Sequence, residues 1–276
     1  MPTDQQPEAP PRPLLDVRDL RVHFHPRTPL FSKTPDPVRA VDGVSFHIAQ
    51  GQTLGLVGES GSGKTTVGRA VLRLIPAISA HISGHVMFDE HDVLAAHADE
   101  LHHMRRDMQI IFQDPAGSLN PRMRVWRIVA EPLFVHKIAT DADELRSRAI
   151  QLLERCGMPA SAADRYSHQF SGGQRQRIGI ARALALDPKF IVCDEPTSAL
   201  DVSIQSQIIN LLSDLQRDLS LTYLFISHDM AVVSHTCQRI AVMLRGKIVE
   251  QGPREQIIED PQHEYTRELL SAVPSV

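Results

Sequence analysis

Three things are scarce in this chain. It has only three cysteines in 276 residues, Cys156, Cys193 and Cys237, odd in number and without a paired spacing. That argues against a disulfide framework or a cysteine metal site and suits a reducing compartment. No apolar run approaches the roughly 20 residues a helix needs to cross a bilayer, so no stretch reads as a membrane-spanning helix. Basic residues are not in excess: 29 Lys and Arg stand against 33 Asp and Glu, a net charge of -4. A nucleic-acid binder relies on a cationic surface, and this composition argues against one. Met1 to Pro13 is rich in Pro, Gln and Glu and has no apolar segment. It reads as a disordered tail, not a secretion signal. The rest is ordinary for a globular protein, 42% hydrophobic and 22% charged, enough for one large domain with a modest appendage.

What the chain does have is concentrated at Gly58-Glu59-Ser60-Gly61-Ser62-Gly63-Lys64-Thr65-Thr66, which fits G-x-x-x-x-G-K-[ST]. Thr53 to Val57 before it reads as a short buried strand, and Val67, Ala70, Val71 and Leu74 after it fall at helical spacing. A glycine-rich turn with an incidental lysine requires neither flank. Glycines let the backbone wrap a phosphate closely, and the N–H groups of a helix start face an anion with about half a positive charge. Lys64 is expected to reach the β- and γ-phosphates, with the Thr65 hydroxyl on Mg²⁺. The stretch predicts a site for a nucleoside triphosphate.

Around it, Leu14 to Phe24 and Val38 to Ile48 alternate as strands, separated by a loop from His25 to Pro37 that holds four prolines. They predict an antiparallel layer beside the nucleotide core. Gly84 to Phe88 and Met108 to Phe112 read as further strands. The histidine-bearing stretch between them, Asp89 to Arg106, reads as a solvated helix, because His102 and His103 are adjacent and cannot share a helix face. From Gln113 to about Leu186 the periodicity is mainly helical, a subdomain inserted in the core. Phe190 to Cys193, Thr222 to Ile226, Ile240 to Leu244 and Lys247 to Glu250 read as strands, the last two as a hairpin turning at Arg245-Gly246, and Ile204 to Leu215 as an amphipathic helix. Pro253 to Val276 has helical pieces and is expected to stand apart from the nucleotide core.

Two more motifs carry chemistry. Asp194 ends a four-residue apolar strand, where a carboxylate holds Mg²⁺ directly or through water, and Glu195 beside it points the other way and is placed to polarise a water. Ser171-Gly172-Gly173-Gln174 opens a second helix, repeating the anion-binding logic of the first. Taken alone it could also be a helix cap, the lesser of the two readings. One triphosphate does not need two such helix ends from one chain, so the economical reading sets this one on the γ-phosphate held by a second copy, in place of a simple cap.

With these residues in view, the stretch from about Leu14 to Gly252 resembles the ATP-binding subunit of an ABC transporter. Gly58 to Thr66 resembles the Walker A loop, Phe190 to Asp194 the Walker B strand, Glu195 the catalytic glutamate and Ser171 to Gln174 the signature sequence. Gln113 resembles the Q-loop glutamine, Ser198 to Asp201 the D-loop and His228 the switch histidine, all in the family's order. The resemblance implies an α/β fold: a P-loop NTPase of the ABC type, with a RecA-like core, an antiparallel β subdomain and a helical subdomain at about 114–186. The tail is then 1–13, the cassette 14–252 and a C-terminal extension 253–276. It implies ATP and Mg²⁺ as ligands. Two cassettes would pack head to tail, each nucleotide between the Gly58, Ser60, Gly61, Ser62, Gly63, Lys64, Thr65 and Thr66 loop of one copy and Ser171, Gly172, Gly173 and Gln174 of the other, with Asp201 beside it. Thr65, Gln113 and Asp194 would serve the metal, Glu195 and His228 the attack on the γ-phosphate. The adenine would stack on an aromatic of the first strand, Phe24 matching best and His23 second. Phe170 stands where the family has leucine, and Cys193 where it commonly has an aliphatic residue.

A finer resemblance is to importer subunits for dipeptides, oligopeptides and nickel. The Pro-rich first loop, the run Gln113 to Pro121 and the tail His263 to Pro274 carry it. No cysteine follows Cys237, so the chain resembles the cysteine-free cassette of such pairs. The implied partners are a second cassette, identical or a sister, two integral membrane permease subunits docking near Asp114 to Glu131, and indirectly an extracytoplasmic solute-binding protein. The implied place is the cytoplasmic face of the inner membrane. Peptide import is the expectation, with nickel or another small solute as the alternative. A soluble ABC ATPase acting on DNA or ribosomes would bring coiled coils, zinc modules or a second cassette, and an exporter would usually bring fused membrane helices; none is present.

Overall fold

The structure, a computed structural model, describes residues 12–25, 36–198 and 200–271. Most of the expected N-terminal tail, most of the Pro-rich loop, Ala199 and the end of the C-terminal motif therefore lie outside the described residues. Strands β1 (Pro13–Phe24) and β2 (Val38–Ala49) pair antiparallel. The apolar members of β1 are spaced by three residues between Val17 and Leu20, and the structure supplies the reason. A bulge falls there, with Asp19 at φ 47, and it returns Leu20 to the buried face.

Strand β3 (Thr53–Val57) is buried at all five positions, as expected of a central parallel strand. Helix α1 (Lys64–Val71) follows the loop. Leu74 does not belong to it. Arg73 turns left-handed at φ 50, and the bonds Arg73 N–H to Ala70 O and Leu74 N–H to Arg69 O close a Schellman cap, leaving Leu74 40% exposed. Strand β4 (Ala80–Phe88) and the two-residue β5 (His91–Asp92) complete the first sheet, in the order β2-β1-β4-β5. The helix expected over Asp89 to Arg106 is shorter: α2 runs Ala98–Asp107, because His97 and Glu100 form its N-terminal cap.

Strand β6 (Met108–Ile111) leads into α3 (Pro115–Ser118), α4 (Val125–Val135), α5 (Ala142–Arg155) and α6 (Gly172–Ala183). Val125, Ile128, Val129 and Leu133 of α4 close a helical layer against Leu145, Ala149 and Leu153 of α5 and Ile178 of α6. Asp141 caps α5 by accepting from Asp143 N and Glu144 N, worth about 1 kcal/mol. The chain returns to the second sheet through β7 (Phe190–Asp194), α7 (Val202–Leu219), β8 (Thr222–Ser227), α8 (Met230–Thr236), β9 (Arg239–Leu244) and β10 (Lys247–Pro253). Arg245 and Gly246 both have positive φ, the geometry a tight hairpin turn requires.

The second sheet runs β10-β9-β3-β8-β7-β6, parallel except for β10. The parallel strands end on one edge, so the loop after β3, Asp194 ending β7 and His228 after β8 are gathered there. Helices α9 (Arg254–Glu259) and α10 (Glu264–Ser271) end the described chain. The extension does not stand apart from the nucleotide core as expected: Tyr265 is buried in the larger hydrophobic cluster and its hydroxyl accepts from Glu59 N at 2.9 Å.

Candidate functional site

The loop between β3 and α1 is shaped by close backbone approach. Gly58 sits at φ 149 and Gly63 at φ 106, and a Cβ at either would collide with the carbonyl oxygen of Met243 or Ala40. Lys64, first residue of α1, is only 4% exposed and donates to Gly58 O at 2.7 Å and Glu59 O at 2.8 Å. Its burial lowers its pKa, while the nearby Glu195, Asp194 and Glu59 carboxylates oppose that shift. The ammonium at the start of α1, together with the N–H groups of the helix start, is what this loop offers to an anionic ligand.

Thr65 Oγ1 donates to Asp194 Oδ1 at 2.8 Å. Burial holds the Asp194 carboxyl above the usual range, partly offset by the Thr65 bond and the charge of Arg69. Its Oδ2 is buried and has no hydrogen-bond partner among the described residues. An orphaned carboxylate oxygen next to a threonine hydroxyl is a donor set of the hard, oxygen type that Mg²⁺ takes. Glu195, one residue on, has φ 46, and its carboxylate meets a different set of partners from that of Asp194. Its Oε2 accepts from Gln113 Nε2 at 2.9 Å and lies 3.2 Å from His228 Nδ1.

A cavity of about 190 Å³ lies between Ser60, Gly61, Gly63, Lys64, Thr65 and Thr66 on one side and Gln113 and Glu195 on the other. A second, of about 700 Å³, adjoins it and adds Asp114, Ser198, His228 and Leu269. Ser62 is buried below the loop. The structure thus brings together the loop, the two carboxylates, the glutamine and the histidine.

It does not bring the other residues there. Ser171 caps α6: its Oγ accepts from Gln174 N at 3.4 Å, and Gln174 Oε1 accepts from Ser171 N at 3.1 Å. The sequence reading set an anion site in place of a cap; the capping box is present. Ser171, Gly172 and Gln174 are exposed, whereas Gly173 is buried where a Cβ would strike the Ile204 side chain. None of the four lines either cavity. Asp201 begins α7 with its side chain exposed and without a capping bond. Phe24 pairs with Val38 at the end of β1 and packs half-buried on the smaller cluster, outside both cavities. His23 faces the opposite side of the strand, its Nε2 buried without a partner among the described residues.

Several functional neighbours escaped the sequence reading. The Ala40 carbonyl is a backbone contact from a distant strand and leaves no residue-type signal. Tyr265 and Leu269 stand in the tail that carries the importer resemblance, and no local feature of that tail shows that it returns to the phosphate loop.

Residues 41–198 match the ABC transporter family profile, and residues 249–276 match the profile for the oligopeptide/dipeptide transporter C-terminal region. A Brucella ovis protein whose name assigns it to peptide import as an ATP-binding protein is 53% identical over 263 residues, 95% of this chain and 79% of its own length. A Salmonella paratyphi A protein named for glutathione import as an ATP-binding protein is 52% identical over 95% of this chain, which spans 41% of that relative. Among solved structures, a dimeric ATP-binding cassette in a post-hydrolysis state with ADP and phosphate superposes with a TM-score of 0.74. It is 28% identical and covers 87% of this chain and 98% of its own.

Proposed function

Because this chain belongs to the ABC transporter family of ATP-binding proteins, we propose that its ATP hydrolysis energises import of di- or oligopeptides through two membrane permease subunits. The observation that carries the chemistry is the convergence of a buried lysine, a threonine–aspartate pair and a glutamate–histidine–glutamine cluster on one edge of a parallel sheet. The observation that carries the cargo class is the match of residues 249–276 to the oligopeptide/dipeptide C-terminal region, supported by the peptide-import relative. Glutathione, named for the second relative, is itself a small peptide.

In this reading the Gly58 to Thr66 backbone and Lys64 bind the β- and γ-phosphates, and Lys64 exchanges its carbonyl partners for phosphate oxygens. Thr65 and Asp194 would hold Mg²⁺, with Gln113 at its edge, and the ion would offset charge on the β- and γ-phosphates. Glu195 accepts a proton from the attacking water, the water oxygen bonds to the γ-phosphorus, and the bond to the ADP oxygen breaks. His228 and Gln113 hold Glu195 by its Oε2 and sense the γ-phosphate. Ser171 to Gln174 complete the site of an opposed cassette, this chain again or a sister. Phe24 stacks on the adenine.

Docking of the permeases at residues 114–131 would set the protein peripherally on the inner face of the membrane, with a solute-binding protein on the other side. None of the described helices is long and apolar enough to cross a bilayer. Co-purification with the permeases, followed by peptide-stimulated ATP hydrolysis in reconstituted vesicles, tests the proposal. Stimulation by di- or oligopeptides is expected; stimulation by nickel chelates alone would reassign the cargo.

A further inference from the structure

The C-terminal extension reaches the phosphate loop, and nothing in the site chemistry above uses it. Its base is pinned: Ile257 of α9 is fully buried, and the Glu250 carboxylate accepts from Gln262 N at 2.8 Å and His263 N at 3.1 Å. His263 Nδ1 then accepts from Tyr265 N at 3.1 Å, fixing the first turn of α10. From there the Tyr265 ring, 7% exposed, packs in the main cluster. Its hydroxyl lies 2.9 Å from Glu59 N, which donates to it.

The amide it meets is the one Lys64 also holds. The peptide unit between Gly58 and Glu59 offers its carbonyl, Gly58 O, to Lys64 Nζ at 2.7 Å and its N–H to Tyr265 Oη. One plane is thus clamped at both ends, by the phosphate-binding lysine and by the C-terminal tyrosine. Glu59 N precedes α1, so no helical carbonyl is available to it. Gly58 at φ 149 has no side chain to limit rotation of that plane. When Lys64 turns to a phosphate, its hold on Gly58 O weakens and Tyr265 is the clamp that remains.

We propose that Tyr265 is a positioning residue of the phosphate loop, through which the C-terminal extension sets this chain's affinity for nucleotide. The inference rests on the reading of Gly58 to Thr66 as the phosphate site. Loss of one hydrogen bond corresponds to about 3–10-fold in binding.

The experiment measures ATP affinity of the full chain by displacement of a fluorescent nucleotide, with melting temperature and steady-state kinetics alongside. Tyr265→Phe keeps the ring and removes the acceptor. Its Kd and KM for ATP should rise about 3–10-fold while kcat at saturating ATP stays near wild type and the melting temperature falls no further than that of Ile257→Val. Ile257→Val loosens the packing of the extension but leaves the hydroxyl. It should lower the melting temperature and leave Kd unchanged. Wild-type affinity in Tyr265→Phe would overturn the proposal, and so would an equal loss of affinity in Ile257→Val, which would reduce the tyrosine to packing. Lys64→Ala in the same assay separates the two levels. If it loses ATP while Tyr265→Phe does not, only the positioning role falls; if it binds ATP normally, the phosphate-loop reading falls with it.

Discussion

The two glycine-bearing helix starts of this molecule look alike in sequence and differ in every physical respect. At α1 the loop is enclosed: Gly58 and Gly63 touch backbone from other strands, Lys64 is buried, and its ammonium is held by loop carbonyls. At α6 the start is open. Ser171, Gly172 and Gln174 are exposed, and the side chains of Ser171 and Gln174 each accept from the other's backbone N–H. Under the proposed function, the first is a site already equipped with its counter-groups and the second is half of one. The same anion-binding logic, repeated without enclosure, is what a surface completed by another cassette requires.

Substitutions can break or sharpen that contrast. The largest effect is expected at Glu195→Gln, which should cut ATP hydrolysis by about 10²–10⁴ with binding intact; undiminished turnover would remove Glu195 as the base. Lys64→Ala should weaken ATP binding by about 10–100-fold, the loss of charge-assisted bonds to phosphate. Ser171→Ala, at the open end, should leave the Kd of the isolated chain unchanged and lower turnover of the assembled transporter about tenfold, one or two hydrogen bonds' worth. If Ser171→Ala weakened binding as much as Lys64→Ala, the two ends would be parts of one intrachain site. Phe24→Ala should weaken ATP a few-fold while leaving inorganic triphosphate unaffected, the size of one stacking contact; equal loss for both would move the adenine elsewhere.

The smallest effect concerns stability. Burial raises the Asp194 carboxyl pKa, so its favourable contribution to folding is fullest below the ordinary carboxylate value near 4 and is lost as pH rises through the raised value. Asp194→Asn, which keeps an oxygen for Thr65, should therefore melt higher than wild type in Mg²⁺-free buffer at neutral pH, by roughly 2–4 °C for each kcal/mol. The gap should narrow as pH falls toward 4. A gap that widened instead would mean the carboxylate is stabilised in the fold.

Much of the enclosed end was legible in the sequence, because its chemistry is local: a strand, a loop and a helix are contiguous, and glycine, lysine and threonine fall at fixed offsets. The apolar run before Asp194 was equally plain. The misreadings came where contacts are long-range or a cap overrode periodicity. Leu74 continued a helical spacing that Arg73 ended by turning left-handed. Ser171 was set against a cap that the fold in fact forms. The extension seemed remote because nothing in its sequence shows that Tyr265 returns to Glu59, 206 residues away.

The most direct test of an open end completed by an opposed cassette is a structure of the assembled transporter carrying Glu195→Gln, trapped with ATP and Mg²⁺. Ser171 Oγ and the Gly173 amide should then lie within hydrogen-bond distance of a γ-phosphate whose β-phosphate rests on the other cassette's loop. A γ-phosphate contacted only by the chain that holds its β-phosphate, with Ser171 facing solvent, would contradict the account.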